Sequence, residues 1–251
     1  MFLLVSGEGP GDIGRCRQGE QCEGVDFEFG PMAIIVDQLV EQFQGYALSH
    51  LASSLVRFVP ESYLAANRQP ALRHSMRLSG KKKPKETAYF YQNARALAAV
   101  AKTKSAEVKA PVIAVLFRDC DGTASAGRGI WQDKRNSMIE GFRAEGFQLG
   151  VAMIPNPKSE AWLLCATQQN NYQHCAQLEQ QSGNDKSPNP LKVQLAASLN
   201  GNACTATLDA MLEQKDIDVT RIDMPSFNTF KEDLRQVVQL AMAEEKRAGM
   251  V

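Results

Sequence analysis

Two short, wholly apolar stretches that each lead into acidic residues constrain the fold of this chain more than any other feature. The first covers residues 2–5 (FLLV) and the second residues 112–117 (VIAVLF). A strand that is apolar on both faces is typical of the middle of a parallel sheet covered by helices. The sequence therefore predicts an α/β fold with a mainly parallel sheet flanked by helices.

Acidic residues follow both apolar stretches. Glu8 and Asp12 (EGPGD) come after the first, and Asp119 and Asp121 (DCDGT) after the second. Because the carboxyl ends of parallel strands face one crevice, we expect these four carboxylates to lie close together. Oxygen ligands of this kind suit Mg²⁺ or Mn²⁺. As alternatives, Asp12 or Asp121 would simply cap the start of a helix.

Strand and helix signals alternate along the first two thirds of the chain. We expect further strands at about 55–59 and 147–154, and a long loop from the first strand to Gly30. The predicted helices are 31–44, 86–102, 133–145 and one that opens at 155–160 and runs through Cys165. Beyond residue 166 the pattern is mostly helical, with helices near 190–199, 205–214 and 228–247. Trp162 and the two leucines after it are expected in the core.

Composition limits the possible classes of protein. The chain has 251 residues and is 44% hydrophobic, which is enough for a large packed domain. Lys and Arg number 28, as do Asp and Glu, so no overall charge attracts nucleic acid or a membrane surface. The apolar run at residues 2–5 is far too short for a signal sequence or a membrane span. We therefore expect a cytoplasmic protein without a membrane partner.

Cysteine and histidine spacing does not indicate a metal site. The six cysteines form no CxxC pair, so in a reducing compartment we expect free thiols rather than disulfides. A zinc site is not expected, although Cys16 and Cys22 share a loop.

Basic residues cluster in an exposed connector over residues 60–85, which is either a solvated surface or a binding surface. They are Arg77, Lys81, Lys82, Lys83 and Lys85.

The acidic pattern resembles that of the Toprim superfamily, especially small stand-alone bacterial Toprim-like proteins and the nuclease domain of overcoming-lysogenization-defect (OLD) family proteins. In that pattern a glutamate follows the first strand and Asp-x-Asp follows a later central strand, as Glu8, Asp119 and Asp121 do. The OLD-type nucleases add an acid four residues after the glutamate and another after the next strand. Asp12 and Glu160 are similar to these two positions.

The resemblance extends over most of the chain. Residues 157–164 (PKSEAWLL) and 225–227 (PSF) are also similar to the stand-alone relatives. The separation of Glu8 from Asp119 is longer than a minimal Toprim core needs. The resemblance therefore implies a single Toprim-like, Rossmann-like domain over residues 1–251, in which 50–105 is a helical insertion and 166–251 a helical C-terminal extension.

The resemblance further implies a phosphodiesterase, in particular a nuclease, that depends on Mg²⁺ or Mn²⁺. The implied metal ligands are Glu8, Asp12, Asp119, Asp121 and Glu160. Glu8 is alternatively a general base. Independently of the resemblance, Lys158 and Arg118 flank these acids, and each would neutralise a phosphate oxygen, Lys158 as a catalytic residue.

The implied partners are nucleic acid, either DNA or RNA, and an ATPase protein of an antiphage defence or mobile-element system. Whether the chain forms a homo-oligomer is left open by the sequence.

Two other classes of function compete with a nuclease. The sequence Asp119-x-Asp121-Gly-Thr123 also resembles the first motif of haloacid-dehalogenase-type phosphatases, in which Asp119 would be the covalent nucleophile and Asp121 the acid. That interpretation does not explain Glu8 and Asp12. The third hypothesis is a non-catalytic Toprim-like sensor or partner-binding subunit, which would bind a metal without turnover.

Overall fold

The main sheet is built around strand β1 (Phe2–Gly7), which pairs in parallel with β5 (Val56–Pro60) on one side and β6 (Val112–Phe117) on the other. β7 (Gly150–Met153) pairs in parallel with β6, and the short β3 (Cys22–Glu23) pairs antiparallel with β5. The strand order is β3-β5-β1-β6-β7. This computed structural model describes residues 1–70, 85–121 and 127–249.

Every residue of β1 and β6 is buried, which explains why neither strand alternates polar with apolar side chains. Helices α3 (Lys85–Val108) and α4 (Gly127–Ala144) pack on each other and against strands of the sheet. Helix α8 (Pro225–Arg247) also contacts β6 and β7 and packs on α1 (Pro31–Gln44). The predicted α/β fold with a mainly parallel sheet between helices is confirmed.

The remaining helices are shorter, and most follow β7. They are α2 (Glu61–Ala66), α5 (Ser159–Thr167), α6 (Leu191–Ser198) and α7 (Thr205–Glu213). The predicted helical character beyond residue 166 is therefore confirmed. The segment 50–105 contributes β5, which lies between β3 and β1 in the sheet, together with α2 and most of α3.

Trp162 anchors α5 in the core, as expected. Its ring meets Phe227 edge-on, with centroids 4.9 Å apart, and stacks on Phe230 at 5.8 Å. Its indole N–H donates to the Ser226 hydroxyl at 2.9 Å, so burial leaves no indole donor unpaired. The neighbours of Trp162, Leu163 and Leu164, are also buried.

The prediction of a long loop before Gly30 is wrong, because this segment contains three short strands. β2 (Gly14–Cys16) and β4 (Phe27–Phe29) form an antiparallel pair, and β3 joins the main sheet. A π-helical turn over Gly9–Ile13 precedes them. Strands of two or three residues are too short to show a periodicity, which is why the sequence pattern did not reveal them.

The expectation of free thiols is wrong for four of the six cysteines. Cys16 and Cys22 form a disulfide, with Cα atoms 5.5 Å apart, and so do Cys165 and Cys175, at 5.1 Å. In each case the fold brings together two cysteines whose sequence spacing is not a known pairing motif. Disulfides persist in oxidising compartments, so they do not support the cytoplasmic location, which stays a prediction.

Some sequence predictions fall on residues outside those described. These are the basic residues Arg77, Lys81, Lys82 and Lys83 of the connector, and the Gly-Thr pair at 122–123. Within the described ranges, no helix is both long and apolar enough to cross a membrane.

Candidate functional site

Acidic residues follow four neighbouring strands at one edge of the sheet. Because β5, β1, β6 and β7 are parallel, their carboxyl ends share this edge. Glu61 follows β5, Glu8 follows β1, Asp119 follows β6, and Glu160 lies in the first turn of α5, after β7. The topology alone therefore directs four carboxylates toward one place.

The turn over residues 119–121, which we call the Asp-x-Asp turn, is held by hydrogen bonds that extend the β6–β7 pairing past the ends of the strands. The backbone N–H groups of residues 118, 120 and 121 donate to the carbonyls of residues 153, 155 and 157, at 2.9–3.1 Å. From α4, the buried ammonium of Lys134 donates to the Cys120 carbonyl at 2.5 Å. The turn is thus fixed against the segment that leads into α5.

Ser159 joins Asp12 to Asp119. Its backbone N–H donates to Asp119 Oδ1 at 2.8 Å, and its hydroxyl donates to Asp12 Oδ1 at 2.7 Å. Ser159 itself is only 1% exposed, so water does not substitute for these bonds. Asp12 lies in the π-helical turn, where Gly9 has a φ of +82° and leaves room for the Asp12 carboxylate. The structure therefore brings together two acids that are far apart in sequence.

Asp119 lies in an enclosed and strongly negative environment. Burial raises its pKa well above the usual range, and the neighbouring carboxylates of Asp12 and Glu160 raise it further, while the Ser159 N–H lowers it. Burial also raises the pKa of Asp12 and that of Glu160. Glu160 Oε2 is buried and has no hydrogen-bond partner. These three carboxylates repel one another and would be stabilised by a cation.

Glu8 contacts the turn at residues 119–121 and the arginine before it. Its Oε2 is 3.0 Å from Arg118 Nη2, and its carboxylate accepts the backbone N–H of Asp119. Burial raises the pKa of Glu8; Arg118 opposes this shift, whereas Glu61 and Asp121 add to it. The structure therefore places Glu8 beside the Asp-x-Asp turn, as the sequence predicted.

Lys158 and Asp121 form the more open side of the site. Lys158 Nζ is 2.9 Å from Asp185 Oδ1 and 3.8 Å from Asp121 Oδ1. Burial disfavours the ammonium, but the Asp185 hydrogen bond and nearby carboxylates raise the pKa of Lys158 overall. The Asp121 side chain is 55% exposed, and its φ is +49°. Asp12 lies inside the π-helical turn, whose N-cap is Glu8, so the capping alternative is wrong for Asp12.

Sequence reasoning missed several residues around the cluster. Glu61 could have been found by the rule that identified Glu8, because it follows the predicted strand at 55–59. Lys134, Asp185 and Lys192 had no such signal. Lys192, on α6, lies close enough to lower the pKa of Asp12. These residues reach the site only through the tertiary fold.

The donor set fits a hard divalent cation in its chemistry, because every candidate ligand is a carboxylate oxygen. Within the residues that the structure describes, no three Asp, Glu, His or Cys side chains converge tightly enough to form a complete ion site. Asp12, Asp119 and Glu160 nevertheless have the mutual repulsion and the unpartnered Glu160 oxygen that a cation would satisfy.

Comparisons with protein-family models, with curated proteins and with solved structures find no match for this chain.

Proposed function

We propose that this protein is a Mg²⁺- or Mn²⁺-dependent phosphodiesterase, in particular a nuclease with a Toprim-like arrangement of acids. The observation on which the proposal rests is the grouping of Asp12, Asp119 and Glu160, three buried carboxyls with raised pKa values. Ser159 joins the first two of them by hydrogen bonds. Structural carboxylates usually pair with cationic side chains, whereas three mutually repelling acids favour a functional site. The cost of keeping them together is offset when a divalent ion binds.

In this proposal the acids hold the ion, and other residues of the chain act on the substrate. A bound ion would supply a polarised water and neutralise charge on the phosphate. Glu8, beside the Asp-x-Asp turn, is placed to orient that water or accept its proton. Lys158 would contact a phosphate oxygen from the open side, where its present partners Asp121 and Asp185 are largely exposed.

The proposed substrate is DNA or RNA, and the proposed biological setting is a defence or mobile-element system with an ATPase partner. The net charge of zero gives no long-range attraction to a polyanion. A short substrate, or one delivered by a partner protein, therefore fits this chain better than free duplex DNA does.

Cleavage assays test the proposal. Purified protein is incubated with plasmid, single-stranded DNA and total tRNA, with Mn²⁺, Mg²⁺ or EDTA. We expect cleavage of at least one substrate that needs the metal and is lost in the double variant Asp119→Ala/Asp121→Ala. The exposed Asp216→Asn serves as the control and should remain active. Unchanged cleavage by the double variant would refute the site.

The same preparation distinguishes the two rival functions. A haloacid-dehalogenase-type phosphatase would hydrolyse p-nitrophenyl phosphate and form an aspartyl phosphate on Asp119, which beryllium fluoride mimics. A non-catalytic sensor would bind Mn²⁺ and leave every substrate intact. Either result would replace the nuclease proposal.

A further inference from the structure

Arg118 is held from several directions at the edge of the acidic cluster. Its Nη1 donates to both oxygens of Glu61, at 3.1 and 2.9 Å, and its Nη2 is 3.0 Å from Glu8 Oε2. The guanidinium also lies over the ring of Tyr89, at 4.5 Å from the centroid, and near that of Phe90, at 5.5 Å. A long and flexible side chain is thus fixed in one orientation before any ligand binds.

Glu61 differs from the other acids of the site because its oxygens are fully used. Oε1 accepts from Arg118 and from Asn93, the latter at 3.3 Å, and Oε2 accepts from Arg118 and from the Tyr89 hydroxyl, at 3.0 Å. An ionised carboxylate has about four acceptor positions. Glu61 therefore has none left for a metal ion, and its geometry is that of an anchor for Arg118.

The anchor comes entirely from the segment 50–105. Glu61 begins α2, and Tyr89 and Asn93 lie one turn apart on α3, so both helices face the same guanidinium. Asn93 is 1% exposed, and the Glu61 side chain is 14% exposed. The Arg118 side chain is 24% exposed, so part of it remains open toward the site. A buried support thus holds a partly open cation beside Glu8.

We propose that Arg118 binds the phosphate group that is cleaved, and that Glu61, Tyr89 and Asn93 position it for this contact. This inference rests on the proposed phosphodiesterase function and assigns a role to the segment 50–105. With Nη1 held by Glu61, the planar guanidinium keeps Nη2 aimed in a fixed direction, which a flexible ammonium does not. Its bond to Glu8 is the one that a phosphate oxygen would replace, since the Glu61 bonds hold the other nitrogen.

Four variants test the positioning role. Arg118→Ala removes the cation, and Arg118→Lys keeps the charge without the planar group. Glu61→Gln weakens the anchor but keeps its shape. Glu107→Gln is the matched control. Glu107 also forms an ion pair with an arginine, Arg57, at 3.4 Å, but it lies at the end of α3 that is remote from Tyr89. Each variant is assayed for kcat and KM on a single-stranded oligonucleotide or tRNA, for Mn²⁺ affinity by electron paramagnetic resonance, and for thermal unfolding.

The expected results separate a role in catalysis from a role in folding. Arg118→Ala should lower kcat about 100-fold or more and leave Mn²⁺ affinity unchanged or tighter, because the acids lose a competing cation. Added guanidinium should restore part of the rate, and Arg118→Lys should remain well below wild type. Glu61→Gln should lower kcat about 10-fold to 100-fold, and Glu107→Gln should match wild type.

A double variant shows whether Glu61 acts through Arg118. If it does, Arg118→Ala combined with Glu61→Gln should be no slower than Arg118→Ala alone. Multiplied losses, or wild-type kcat in Arg118→Ala, would overturn this inference while the nuclease function stands. Loss of Mn²⁺ binding together with unfolding would also overturn it, in favour of a structural role. A wild-type protein that cleaves nothing with metal present would overturn the proposed function itself, and this inference with it.

Discussion

Replacing Ser159 by alanine should destabilise the protein in a way that depends on the charge of Asp12. The Ser159 hydroxyl donates to Asp12 Oδ1 at 2.7 Å in a buried position, whereas its backbone N–H, which holds Asp119, is unaffected by the change. A hydrogen bond to a charged acceptor contributes about 1.5–3 kcal/mol, and the alanine leaves this carboxylate short of a donor. We therefore expect the free energy of unfolding to fall by about 2 kcal/mol at pH values where Asp12 is ionised.

The pH dependence of that loss has a definite sign. The Ser159 bond lowers the pKa of Asp12 against the larger effect of burial, so its removal raises this pKa further. The decrease in the free energy of unfolding should be largest where Asp12 is ionised. It should become smaller as the pH falls and the carboxyl becomes protonated.

Urea unfolding of wild type and Ser159→Ala at several pH values measures this difference. Ser105→Ala is the control, because the Ser105 hydroxyl donates to a neutral acceptor, the Ala110 carbonyl, at 2.8 Å. Its smaller loss should not change with pH. An equal, pH-independent loss in both variants would refute the reasoning about a charged, buried Asp12.

Two further predictions concern regions away from the site. Burial lowers the pKa of His50 to about 4. Between pH 6.5 and 4 the unfolded chain therefore binds a proton at this residue more readily than the folded protein does. The free energy of unfolding of the wild type should fall by about 3 kcal/mol over this range, as measured by unfolding experiments. His50→Gln should lack this part of the pH dependence, and an unchanged slope would contradict the assignment. Cys175→Ser opens the short loop to Cys165 and should cost about 3 kcal/mol in urea unfolding, whereas Cys204→Ser, at an exposed cysteine, should cost almost nothing; equal losses would contradict the disulfide.

The sequence predicts those elements whose burial is uniform along their length. β6 is apolar throughout, and β1 is apolar up to Ser6, because helices cover the sheet. α1 ends where expected because Gly45 adopts a left-handed conformation, with a φ of +77°. Element ends were less accurate. α8 begins at Pro225 rather than near residue 228, and α3 extends to Val108 rather than to 102. The start of α8 has a local signal that the expectation overlooked, because proline is favoured in the first turn of a helix.

The candidate site was predictable to the extent that it depends on strand ends. Glu8 and Asp119 meet because parallel neighbouring strands bring their carboxyl ends together. The anchor on Glu61 could not be found in this way, since Tyr89 and Asn93 reach it from a helix that follows it by more than twenty residues. The two disulfides likewise depend on the path of the chain rather than on cysteine spacing.

Isothermal titration with Mn²⁺ tests the central claim most directly, namely that Asp12, Asp119 and Glu160 are grouped to hold a divalent cation. We expect saturable binding by the wild type, and an affinity reduced about 10-fold or more by Asp119→Asn, with Asp216→Asn unchanged. Asn keeps an oxygen for the Ser159 N–H, so the change isolates the charge of Asp119. Absence of saturable binding by wild type, or equal affinity in Asp119→Asn, would contradict the account.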